Sequence, residues 1–269
     1  MIMNLFKQAM MNSIMGNYTA AIEYYKNFIE KASKCYHDLK SGSKIQNIDE
    51  EEAAINLINV WCNLGNLYKF LGFPYEALKC FDEALKLQPK DPLAIREMGE
   101  IYHERGEYEK ALKCFNKCVE INPNDAHAWI GLGILYEIMG KLENSIDCYQ
   151  NALDSDPKNG IAWYNLGVIY DKLTKEEKAF DCYKKALRFD PENKRAWVNL
   201  GNYHMKRMNL EKAIKYYKKA IDIDPYYEKA WYYSNLAWDC LRDTKIPIKE
   251  TLNDSKPVLE NTRKISKRR

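Results

Sequence analysis

No stretch of the 269 residues approaches the roughly 18 consecutive apolar side chains that would suggest a membrane span, so none is expected. The amino terminus, MIMNLFKQAMMNSIMG, lacks a basic start followed by a clean apolar block; a secretory signal is not expected, and the cytoplasm is the default location. Histidine is scarce, with only His37, His103, His127 and His204 in the chain. There is no HExxH, no phosphate-binding loop and no CxxC pair, and the GxG at Gly131 and Gly133 meets Tyr136 where a dinucleotide loop would place its third glycine. These absences remove the usual marks of catalysis, so no catalytic residue, metal or cofactor is assigned and a noncatalytic protein is expected.

Proline is sparse too, nine in all, yet five of them stand 34 residues apart: Pro89, Pro123, Pro157, Pro191 and Pro225. Gly65, Gly99, Gly133, Gly167 and Gly201 keep the same step, so the period belongs to whole structural units. Within one period Trp61, Leu64, Gly65 and Tyr68 step by three, one and three, which puts them on one stripe of a helix. Ala77, Phe81 and Ala84 form a second stripe. Gly72 between the two sets suits a helix-ending left-handed residue, and Pro89 stops the second helix. Each unit is therefore expected to be a helical hairpin whose small Gly65 and Ala77 allow the two axes to cross closely. Trp61, Tyr68 and Phe81 are expected to fill the space around that crossing.

Trp, Leu-Gly, Tyr, Ala, aromatic, Ala and Pro at this spacing resemble the tetratricopeptide repeat over residues 58–227. The units are 58–91, 92–125, 126–159, 160–193 and 194–227. Departures are few: Ile95 replaces Trp, Cys118 and Ser145 replace Ala, and His204 replaces Tyr. Thr174 and Met208 stand where earlier units have the hairpin glycine, so those two turns are expected to be looser or strained. The resemblance implies an all-α fold, a right-handed superhelical solenoid of stacked antiparallel helix pairs. Such an array grows by addition and reads here as one elongated domain.

Of eight cysteines, Cys80, Cys114, Cys148 and Cys182 recur once per unit in successive second helices. Helices packed about 8–10 Å apart exceed the reach of a disulfide, so these are read as small packing residues. Cys114 and Cys118 share one helical face but have no completing ligands.

The formal charge is +3, divided unevenly: residues 244–269 hold eight basic and three acidic side chains, a net +5, leaving −2 on the remainder. A near-neutral array with a basic, mobile tail is not the pattern of a dedicated nucleic-acid binder. Residues 1–57 are read as a degenerate first hairpin, with Gly16, Ala21 and Tyr25 echoing the repeat. Gly16 lies 56 residues before Gly72 rather than 34, which implies lengthened helices and an inserted loop near 41–48. Asp49 and Glu52 have capping-box spacing. Residues 228–243 begin like a sixth unit at Trp231 and are read as a capping helix.

Each first helix carries another stripe, two residues offset from the first, or about 200° around the axis. The resemblance implies that this stripe lines a concave surface on which extended peptides or partner helices dock. In order it holds Asn63 and Asn66; Arg96; His127, Ile130 and Ile134; Ile161, Tyr164, Asn165 and Val168; Arg195, Val198, Asn199 and Asn202; and Tyr232 and Tyr233. Apolar residues at its centre, flanked by amides and arginines, suit a peptide groove. Those on the shared seam, Ile130, Tyr164 and Val198, suit packing between neighbouring helices as well. Asn63, Asn165 and Asn199 are equivalent and resemble the asparagine ladder of the repeat domain in O-GlcNAc transferase, with Glu97 and Gly131 as missing rungs.

The positions at which co-chaperones of the family hold a carboxylate are Cys62, Asn66, Glu97, His127 and Gly131, so no chaperone carboxylate clamp is expected. His103 and His127, with Glu100, Glu104 and Glu137 on the same face, read as solvated polar residues. The expected function is a scaffold or adaptor that binds a protein segment. The alternative is a regulatory or substrate-recruiting module for an enzyme on another chain, for example a glycosyltransferase.

Overall fold

The computed structural model describes residues 2–41 and 50–243, and among them every regular element is an α-helix. In order they are α1 (Ile2–Ile14), α2 (Tyr18–Lys40), α3 (Glu50–Phe70), α4 (Pro74–Leu87), α5 (Pro92–Glu104), α6 (Tyr108–Ile121) and α7 (Ala126–Ile138). Then follow α8 (Leu142–Ser155), α9 (Gly160–Lys172), α10 (Glu176–Phe189), α11 (Lys194–Lys206), α12 (Leu210–Ile223) and α13 (Glu228–Asp243). The architecture is an all-α solenoid of helix pairs, and the chain divides into two compact units at Leu135 and Tyr136, inside α7. The inserted loop, Asp49 of the capping-box pair and the basic tail lie outside the described residues.

In the amino-terminal unit, α1 packs on α2, α3 on α4 and α5 on α6, and α2 and α4 each also meet the first helix of the next pair. α2 and α3 are 23 and 21 residues long, against 13 or 14 for the helices from α4 to α12. Phe28, Leu57, Leu64 and Leu67 form one buried cluster, and Phe81, Ile58, Met98 and Ile101 the next. The carboxy-terminal unit repeats the scheme, with α9 on α10, α11 on α12, and α13 laid across α12 and α11. Tyr183, Ala186 and Leu200 centre one of its clusters, Tyr217, Ile214 and Leu241 the other.

In α3, α5, α9 and α11 the glycine of the first helix is required by an aromatic ring of its partner. A Cβ added at Gly65 would lie 2.9 Å from the Phe81 ring, and at Gly167 2.7 Å from Tyr183. Phe81, Tyr183 and Tyr217 are consequently among the most deeply buried rings. The signature tryptophan is less deeply set: Trp61 and Tyr68 are half-buried and pack against the clusters on both sides of the crossing.

Tryptophan has a polar task as well. The indole Nε1 donates to the carbonyl of the proline six residues earlier, in Trp129 to Pro123 (2.8 Å), Trp163 to Pro157 (3.0 Å), Trp197 to Pro191 (2.8 Å) and Trp231 to Pro225 (2.8 Å). Ile95 cannot donate, and there the Lys117 ammonium reaches the Pro89 carbonyl at 3.3 Å.

A second periodic device starts the first helices. Asp91, Asp125, Asn159 and Asn193 cap them by accepting from the amides of Ala94, Ala128, Ala162 and Ala196 at 2.7 to 3.1 Å. Each such cap is worth about 1 kcal/mol. The hairpin turns take a left-handed residue, Gly72, Gly106 and Gly140 at φ of 77°, 73° and 73°, while Thr174 and Met208 are held at 56° and 57°. Side chains with a Cβ are strained there, most of all β-branched threonine.

Candidate functional site

In the carboxy-terminal unit the second stripe runs across α9, α11 and α13. Ile161 and Tyr232 are 53% and 64% exposed, and Arg195 is exposed. Tyr164, Asn165, Val168, Asn199, Asn202 and Tyr233 are half-buried, so each retains a face toward solvent. Val198 differs: at 3% exposure it belongs to the core between helices and offers a ligand nothing, which corrects its expected place in a groove. The step of three, one and three puts it on the stripe, but the neighbouring helix lies over it.

Hydroxyl groups from the second helices reach this stripe. The Tyr217 hydroxyl donates to Asn202 Oδ1 at 2.8 Å, and its ring stacks on Tyr233 with centroids 5.9 Å apart. The hydroxyls of Tyr164 and Tyr183 lie within reach of the Asn199 amide. Burial first, opposed by Arg195, pushes the Tyr164 phenol above its ordinary range. Tyr183 rises further, through burial and then through its 2.6 Å hydrogen bond to Asp171. Two of the amides expected to face a ligand are therefore partly committed to the chain itself. The sequence signal for this was tyrosine at 183 and 217 where earlier units have Phe81 and Phe115, because a buried hydroxyl needs a partner.

In the amino-terminal unit the stripe is more charged and more internally paired. Arg96, 19% exposed at its side chain, contacts Asp125 at 2.9 Å and Glu97 at 3.4 Å, and Lys69 holds Glu97 at 2.8 Å and also Glu100. Arg96 thus closes an ion cluster across α3, α5 and the start of α7 and does not stand free at a groove edge. Asn63 donates to the Asn59 carbonyl of its own helix at 2.8 Å. Asn66 is half-buried and His127 exposed.

Ile130 is 6% exposed and mostly core, and what remains of its surface lines a cleft beside Ile134. Ile134 is half-buried and lines this cleft, of about 230 Å³, with His103, Glu104, Phe115, His127 and Gly131. Gly131 is imposed by packing: a Cβ there would sit 2.6 Å from Phe115 Cζ, which gives the missing rung a physical cause. The two histidines do share this cleft, and among the described residues no group of three or more His, Cys, Asp or Glu is placed to hold a metal ion.

All eight cysteines are free. Burial is the main cause that pushes the thiols of Cys62, Cys80, Cys118, Cys148 and Cys182 up to about 12, so they stay protonated and unreactive at neutral pH. Among the described residues no helix is long and apolar enough to cross a membrane.

Comparison with known proteins places this architecture. A TPR repeat model matches residues 99–140 and 138–173. One tetratricopeptide repeat model matches 58–91, 160–193 and 195–227, and another matches 80–113. No curated protein matches the chain. Among solved structures, MamA is 25% identical with a TM-score of 0.53, over 60% of this chain and 94% of that one. PilF of Pseudomonas aeruginosa is 16% identical with a TM-score of 0.66, over 71% and 87%. YrrB, described as a TPR protein with an unusual peptide-binding site, is 22% identical with a TM-score of 0.51, over 64% and 89%. Protein-interaction scaffolds built on this repeat are what the fold and its relatives support. The chain belongs to the tetratricopeptide repeat family.

Proposed function

We propose that the chain is a noncatalytic adaptor that binds an extended segment or helix of a partner protein along its first-helix stripe. The observation carrying this reading is the run of half-buried Tyr164, Asn165 and Val168 on α9 beside exposed Ile161 and Arg195. It combines apolar area with an amide, Asn165, whose side chain makes no hydrogen bond among the described residues. Apolar burial would supply affinity, and the amide would pair with backbone groups of the ligand. Eight free cysteines fit work in the reducing cytoplasm, where thiols persist.

The test is capture of partners from native lysate by the wild type and by a Tyr164→Ala, Val168→Glu double variant, with thermal melting to establish that both are folded. Loss of a defined partner by the folded variant is the expected result. Identical partner sets would overturn the reading.

A further inference from the structure

The second helices of the carboxy-terminal unit carry a surface that the stripe does not use. Between α8 and α10 lies a groove of about 590 Å³, floored by Trp163, Leu166 and Tyr170 of α9. Its walls are charge-balanced, with Asp154 of α8 and Lys178, Asp181 and Lys185 of α10. One repeat onward, the same register sets Lys184 and Arg188 of α10 beside Lys212, Lys215 and Lys219 of α12, five exposed cations without a carboxylate among them.

None of these five forms an ion pair among the described residues. Glu176 and Glu177, the acids of the first turn of α10, are taken by Lys206 of α11 and by Arg207, which caps it, at 2.7 to 3.0 Å. The floor of this second position is filled. Tyr216 stands where Cys182 stands one unit earlier and stacks on Trp197 and His204, with centroids at 5.8 and 5.3 Å. An open apolar slot thus lies beside a cationic shelf.

We propose that this slot and shelf dock an acidic, amphipathic segment of a partner protein. Its apolar side chains would seat against half-buried Trp163 and Tyr170, beside the Lys185 and Lys178 stems that lie over those rings at 4.0 and 5.5 Å, and its carboxylates would meet the cations of α10 and α12. Excess positive charge on the shelf selects an anion, and the balanced walls of the slot select apolar groups. Nucleic acid fits less well, because base stacking needs a free ring face. Lys185 lies over Trp163 at 4.0 Å, and Tyr216 occupies the faces of Trp197 and His204. The surface is separate from the first-helix stripe, so failure of either reading leaves the other standing.

The probe is a fluorescein-labelled helical peptide of about 20 residues, with Leu at one face and Glu elsewhere, titrated into the full chain by anisotropy. Saturable binding is expected, weakened about tenfold by raised salt, by Gln in place of Glu in the peptide, and by a Lys184→Glu, Lys215→Glu, Lys219→Glu triple variant. Gln150→Trp, at an exposed position lining the slot, is expected to weaken binding several-fold while leaving the melting temperature unchanged. Unchanged affinity in the triple variant overturns the proposal, and so does unchanged affinity in Gln150→Trp, which would reduce binding to charge alone. Tighter binding of poly(U) through the same lysines would make the surface a nucleic-acid site instead.

Discussion

Gly201 and Tyr217 lie so close that a Cβ on the glycine would fall 2.3 Å from the ring's Cε1. The ring is fully buried and its hydroxyl is tied to Asn202, so it cannot swing aside without breaking that bond. Gly201→Ala is therefore expected to lower stability by about 1–3 kcal/mol despite alanine's better helix propensity. Thermal or denaturant unfolding checks this, with Gly140→Ala as a contrast. The latter is strained by its φ of 73° but meets no atom within 4 Å.

Thr174 and Met208 hold left-handed backbone that glycine holds in the earlier turns. Relief of that strain, offset by the greater freedom of glycine in the unfolded chain, gives an expected gain of about 0.5–1 kcal/mol for Thr174→Gly and for Met208→Gly. Equal or lower melting temperatures in both variants would contradict this.

Asp125 caps α7 with one oxygen and pairs with Arg96 through the other. Its side chain is 6% exposed and that of Arg96 19%, so solvent screens the pair only partly. Asp125→Asn retains a capping oxygen and is expected to cost about 1 kcal/mol, whereas Asp125→Ala removes both contacts and is expected to cost about 2–4 kcal/mol. The order of the two variants in chemical denaturation is the decisive readout.

His204 is buried against Tyr216, Tyr203 and Phe180, with Lys212 and Arg207 as its charged neighbours. Burial first, then those two cations, hold its imidazole below the ordinary 6.5. The unfolded chain therefore takes up the proton first as pH falls. Stability unaffected by this group above about 6.5 declines as pH drops from there toward the folded value. A shallower fall of melting temperature between pH 7 and pH 5 is expected in His204→Phe than in the wild type.

The fold was legible because its punctuation is chemical: a proline that ends each second helix, a hairpin glycine, and a first-helix glycine beneath an aromatic ring. The caps at Asp91, Asp125, Asn159 and Asn193 keep the same period but were missed, because short polar residues beside Pro89 and its equivalents read simply as loop. The stripe was legible as a set, not residue by residue. Ile130 and Ile134, or Val198 and Val168, share one helical step, and only the seat of the neighbouring helix decides which is core. The commitments of Asn199 and Asn202 depend on hydroxyls arriving from other helices, which no local spacing records. The basic shelf went unnoticed because summed charge hides it: lysines of α10 and α12 converge only when successive second helices are brought side by side.

The indole-to-proline bonds also bear on how the array comes apart. Each joins the exit of one hairpin to the entrance of the next, across the joint where a modular chain would otherwise be easiest to part. Trp231 and Pro225 do this for α13, the last of the described helices. Fastening the joints spreads cooperativity from hairpin to hairpin, so neighbouring units should melt together rather than one at a time.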